Sequence, residues 1–218
     1  MSTRNIIAVA VIAAAALGSA SFFIWGDIRS PGETPPDSSK PGFETSQKPG
    51  FFPSGGFEPN ELETLAKQAL ERKIPSGNEA VAKELKEMSL QLEREPNYLQ
   101  GWLQIGILRK FLGDYEGASL AWQYATLIRP NDYIAFSNLG DLYHYYLHDF
   151  PKAEKYLRKA VDVKPDYVAG YKNLFDLYTL SYKEKKNLAE PVLLEGINKN
   201  PGDNYLRGIL TSYRAGEI

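Results

Sequence analysis

Cysteine is absent from all 218 residues, which excludes disulfides, thiolate metal sites, a cysteine nucleophile and a cysteine-linked lipid anchor. The redox compartment therefore stays open. Basic charge is also in short supply: 25 Lys and Arg stand against 27 Asp and Glu, a formal charge of −2. With no basic field to release counterions, nucleic acid is not expected as a partner. Glycine-rich phosphate loops, zinc-protease helices and serine-hydrolase elbows are missing too, so the sequence offers no catalytic residue and no cofactor site. Histidine occurs twice, and Asp141, His144 and His148 are spaced three and four apart, on one face of a helix that could approach a metal. No fourth ligand accompanies them, and His148 falls in a turn, so no metal site is assigned.

What the chain has is an uneven distribution of apolar residues. Ile6 to Trp25 is a run of 20 residues without a charge. At about 1.5 Å of rise per residue it matches a hydrocarbon core of about 30 Å. The rival reading is a cleaved signal peptide ending at Gly18 and Ala20. Apolar character continues through Phe22, Phe23, Ile24 and Trp25, which favours a retained anchor over residues 6–25 with Trp25 at the interface. Arg4 and the amino terminus precede the run and Asp27, Arg29, Glu33 and Asp37 follow it, so from the balance of positive charge the N-terminus is expected in the cytoplasm and the rest of the chain outside it. Ala14 with Gly18, and Ala16 with Ala20, have the spacing that lets membrane helices approach, allowing a homodimer through this segment.

Residues 26–58 are rich in Pro, Gly and Ser and read as a flexible linker. A tetrapeptide occurs twice within it, Lys40-Pro41-Gly42-Phe43 and Lys48-Pro49-Gly50-Phe51. Beyond it the apolar pattern is helical as far as residue 215, and prolines at 96, 130, 165 and 201 recur at spacings of 34, 35 and 36 residues. In phase with them run Trp102, Ile105, Gly106, Arg109, Ala118, Trp122 and Pro130; then Phe136, Leu139, Gly140, Tyr143, Ala153, Leu157 and Pro165; then Tyr171, Leu174, Phe175, Tyr178, Ala189, Leu193 and Pro201. Small residues sit where two antiparallel helices cross, large ones fill the gaps between turns, and each proline stops the second helix. Asp114 and Asp149 are placed to cap those second helices.

This pattern resembles the tetratricopeptide repeat family over about Tyr98 to Pro201. The resemblance implies an all-α solenoid of helical hairpins, with repeats at about 61–96, 99–132, 133–167 and 168–203. The first is a diverged pair, with Ser76 and Glu79 at capping-box spacing between its helices. A closing helix from Asn204 to Arg214 would present Tyr205, Leu206, Ile209, Leu210 and Tyr213 to the last repeat as a cap. Arg109 stands where the family has Tyr, Phe175 where it has a small residue, and Pro191 delays the last unit's second helix to about Ala189, after a Lys-rich turn.

The family binds extended peptides or helices in a concave groove lined by the first helix of each unit. Carried over position by position, that groove would comprise Gln100, Leu103, Ile107, Lys110 and Phe111, then Ile134, Ser137, Asn138, Asp141, His144 and Tyr145, then Ala169, Lys172, Asn173, Asp176 and Thr179. Leu103 and Ile107 occupy positions where the family's carboxylate-clamp variety needs polar groups, which argues against that specificity. The sequence thus suggests a non-enzymatic, membrane-tethered adaptor that takes a protein or peptide partner, with no small-molecule substrate evident. The alternative is a structural subunit of a larger envelope or secretion assembly.

Overall fold

The computed structural model describes residues 59–218; the expected anchor at 6–25 and linker at 26–58 lie outside the described residues. The described chain is helical throughout: α1 (Pro59–Leu70), α2 (Glu79–Arg94), α3 (Leu99–Phe111), α4 (Tyr115–Ile128), α5 (Tyr133–Tyr145), α6 (Phe150–Val163), α7 (Val168–Asp176), α8 (Ala189–Lys199) and α9 (Tyr205–Arg214). Helix boundaries follow local chemistry. The Asp114 carboxylate accepts the Gly117 amide at 3.0 Å and the Asp149 carboxylate accepts the Lys152 amide at 3.1 Å, so two second helices start on the expected caps. The helix α2 is capped by Asn78, which accepts from Val81 N at 3.1 Å, and not by Ser76. Each of α2, α4, α6 and α8 stops two residues before a repeat proline, because the residue before proline is driven out of helical geometry.

Three hairpins, α3/α4, α5/α6 and α7/α8, stack in sequence, with α4 against α5 and α6 against α7. Close approach depends on the missing side chains of two glycines. A Cβ on Gly106 would lie 2.1 Å from the Trp122 indole, and one on Gly140 would lie 2.5 Å from Leu157. Trp102, Trp122, Ile105, Leu139, Leu157 and Leu174 fill the continuous core between the layers.

The N-terminal pair does not form a fourth hairpin. The helix α2 packs on α3, whereas α1 packs on α4. The composition of α4 explains this: from Tyr115 to Ile128 its only charged residue is Glu116, and a helix apolar on all sides has to be covered on all sides. Arg109 completes the attachment. Its guanidinium is fully buried and donates to the α1 carbonyl of Ala69 at 2.7 Å, to the carbonyl of Arg72 at 3.1 Å, and to Asp114 at 2.6 Å.

Phe175 alters the third hairpin. Where the earlier units have Gly106 and Gly140, its ring is buried and meets Tyr213 of α9 edge-on at 5.2 Å. The helix α7 ends after nine residues and continues as a π-helical turn, Leu177–Ser181, then a 3-10 turn, Lys183–Leu188. This puts Pro191 in the first turn of α8, where its missing amide is harmless. The closing helix α9 packs on α8 through buried Leu206 and Leu210, with Ile209 and Tyr213 partly covered. Tyr205, expected on that side, is exposed. Among the described residues no helix is long and apolar enough to cross a membrane.

Candidate functional site

The first helices of the three hairpins, α3, α5 and α7, repeat their residues in register, so equivalent positions form rows across the domain. Five residues after Trp102, Phe136 and Tyr171 come Ile107, Asp141 and Asp176; nine after them come Phe111, Tyr145 and Leu180. The two rows lie one helical turn apart on the same face. Phe111, Tyr145 and Leu180 are 45, 46 and 63% exposed, one large exposed side chain per repeat at the same register. Leu180 was not among the residues expected to line this face. It lies in the π-helical turn that continues α7, and the signal for it in the sequence is its nine-residue offset from Tyr171.

Side chains knit the row between α5 and α7. Asn173 donates to Asp141 at 2.9 Å, Lys172 forms an ion pair with Asp176 one turn along its own helix, and Nε2 of His144 lies 2.8 Å from the Ser181 hydroxyl. Toward α3, the Lys110 ammonium sits over the Tyr146 ring at 5.5 Å and the Trp122 ring at 5.9 Å. Among the described residues Asp141 is left with an amide as its side-chain hydrogen-bond partner and no ion pair. Desolvation pushes its carboxyl up to about 7; Lys110 opposes that shift, Asp176 adds to it, and Lys172 and Asn173 oppose it. Burial likewise lowers Lys110, with Asp141 pulling the other way. The Tyr145 phenol is raised, first by burial and then by Asp176 and Asp141.

The expected groove residues divide by accessibility. Gln100, Phe111 and Tyr145 are exposed, and Ile107, Lys110, Ile134, Asn138, Asp141, Ala169, Lys172, Asn173 and Thr179 are half-buried. Leu103, Ser137, His144 and Asp176 are buried and hold the repeats together instead of lining free surface. The Leu103 carbonyl accepts the Trp122 indole at 3.1 Å, and the Ser137 hydroxyl meets that of Tyr167 at 3.0 Å. His144, at 1% exposure, stacks on Tyr145, and its Nδ1 finds no partner among the described residues. Asn138 also carries a side-chain nitrogen without a partner among the described residues. His148 occupies a turn at positive φ and lies 3.3 Å from the His144 carbonyl. Asp141, His144 and His148 do not converge, and among the described residues no group of three His, Asp or Glu side chains is placed to hold a metal.

No family model matches this chain, and no curated protein matches it. Solved structures do. One is a crystal structure of MamA, which aligns with a TM-score of 0.50 at 16% identity, over 61% of this chain and 76% of that one. At that identity the likeness concerns the fold alone. It agrees with a tetratricopeptide-type arrangement of helical hairpins.

Proposed function

We propose that this chain is a non-enzymatic interaction scaffold whose working surface is the face shared by α3, α5 and α7, and that its N-terminal apolar run tethers it to a membrane. The observation that carries the first part is the row of Phe111 and Tyr145, nearly half exposed beside Asn138, Asn173 and Lys110. Aromatic side chains supply buried area on binding, while directed amides and charges fix the register of a bound segment. The tetratricopeptide-type fold supports the same reading. The tether rests on the uncharged residues 6–25.

A photoreactive amino acid in place of Phe111 should crosslink a protein in intact cells. Replacing Tyr145 and Asn138 together with Ala should abolish that crosslink without moving the melting curve, while Lys159→Glu on exposed α6 surface should leave it intact. The opposite result would replace the adaptor with the assembly-subunit reading. The tether is tested by fractionation: the full chain should resist alkaline extraction from membranes, and a chain beginning at Glu58 should not associate with them. Recovery of a mature protein starting at Ser21 would establish cleavage instead.

A further inference from the structure

The face described above also indicates what chemistry its occupant carries. Four charged side chains meet there: Lys110 from α3, Asp141 from α5, and Lys172 and Asp176 from α7. Lys172 is committed to Asp176. Lys110 rests on the Tyr146 and Trp122 rings and, among the described residues, forms no ion pair. Among the described residues Asp141 thus forms no ion pair: the Asn173 amide is its hydrogen-bond partner, and Lys110 and Lys172 act on it only from a distance. Directly above it on the same helix, one turn away, stands Tyr145, the middle of the Phe111, Tyr145 and Leu180 row. A half-buried carboxylate in this position is complemented by a cation arriving with the partner, and the exposed row by apolar side chains on either side of that cation.

Building on the groove reading, we infer that the partner binds as an extended segment that places a Lys or Arg side chain on Asp141 and apolar side chains on Phe111 and Leu180. An extended chain advances about 3.3 Å per residue, so apolar residues three positions before and after the cation, about 10 Å away, reach toward the flanking repeats. Charge complementarity at Asp141 disfavours the reverse polarity. An acidic residue in the central position would meet the Asp141 carboxylate with Asp176 behind it.

The groups facing Asp141 set the pH response. They are Lys110 on α3, His144 and Tyr145 on α5, Tyr167 before α7, and Lys172 and Asp176 on α7. Burial lowers His144 and raises Tyr145 and Tyr167, so the response is assigned to Asp141 by comparing the pH profile with that of Asp141→Asn. A carboxyl titrating at about 7 is ionised to roughly a tenth at pH 6 and roughly nine-tenths at pH 8. Affinity for a cationic segment should therefore rise up to roughly tenfold across that interval.

The test uses the full-length protein and two fluorescein-labelled heptapeptides, Leu-Ser-Ser-Arg-Ser-Ser-Leu and the same peptide with Glu in the centre, followed by fluorescence anisotropy at pH 6 and pH 8. The Arg peptide should bind more tightly at pH 8, and the Glu peptide should bind more weakly at both. Asp141→Asn, nearly isosteric, should remove the pH dependence and most of the preference for Arg. Lys110→Met, which removes the resident cation, should strengthen Arg-peptide binding, a change in the opposite direction that lost folding cannot produce. Equal binding of the two peptides, or an unchanged Arg preference in Asp141→Asn, overturns the inference but leaves the groove reading standing if Phe111 crosslinking still depends on Tyr145 and Asn138. Failure of both peptides to bind overturns it as well. Loss of that crosslinking dependence overturns the groove reading itself.

Discussion

Arg109 and Asp114, five residues apart across the turn between α3 and α4, form a 2.6 Å ion pair in which the arginine side chain has no solvent exposure. The same Asp114 carboxylate caps α4 and receives Arg72 at 2.6 Å, while Arg109 reaches two carbonyls at the end of α1. Desolvation lowers the arginine's proton affinity, and the Asp114 hydrogen bond and charge counter it. Equivalent positions in the other repeats hold Tyr143 and Tyr178, which have no N-terminal helix to secure.

Arg109→Ala should lower stability by about 1–3 kcal/mol or more, because it removes one of the two cations on the buried Asp114 carboxylate and leaves the Ala69 and Arg72 carbonyls without the guanidinium donor. Urea denaturation measures the loss, and proteolysis between residues 71 and 78 should accelerate as α1 loosens. Arg109→Lys should recover only part of it, since one ammonium cannot span three acceptors as a guanidinium does. An unchanged denaturation midpoint would show that α1 is held by its apolar contacts alone.

Two glycines should respond oppositely to the same change. Gly140→Ala drives a methyl group to within 2.5 Å of Leu157 and should destabilise by about 1–3 kcal/mol. On the open side of α9, a Cβ at Gly208 meets nothing within 4 Å, so Gly208→Ala should stabilise by about 0.5–1 kcal/mol. Thermal melts of the two variants should shift in opposite directions.

Ending the chain after Asp203 should uncover the α8 surface against which Leu206 is buried and the Phe175 ring that meets Tyr213. In a stack where each repeat contacts only its neighbours, the exposed end frays first. Amide exchange should quicken in α8 before it changes in α3 and α4. Uniform protection equal to that of the full chain would make α9 a mere tail.

Asp141 gives stability a definite pH slope. Its folded-state carboxyl, up at about 7 against an ordinary 3.8, holds a proton that the unfolded chain releases between those values. The folded state therefore binds more protons, and this residue's contribution to stability falls as pH rises from about 4 to about 7. Asp141→Asn cannot lose that proton. Its stability should decline less over the same interval, as measured by denaturation at stepped pH, and a slope identical to the unmodified protein would place the carboxyl in a more solvated setting.

The sequence by itself determined the repeat phase, because the features that set it are local. A proline ends its helix wherever it stands, an aspartate before an apolar anchor caps the next helix, and a 34- to 36-residue period forces equivalent residues onto equivalent faces. That is why Asp114, Asp149 and the start of α8 at Ala189 were legible, and with them most of the α3, α5 and α7 face. Long-range contacts were not. Capping at Asn78 rather than Ser76 turned on a single turn's geometry, and the burial of Leu103, Ser137 and His144 depended on neighbours in other repeats. The seating of α1 on α4 was decided only by the tertiary structure: α1 can bury its apolar stripe against any apolar helix, and it is the uncharged outer side of α4, with the Arg109 guanidinium at the end of α1, that selects one partner among several.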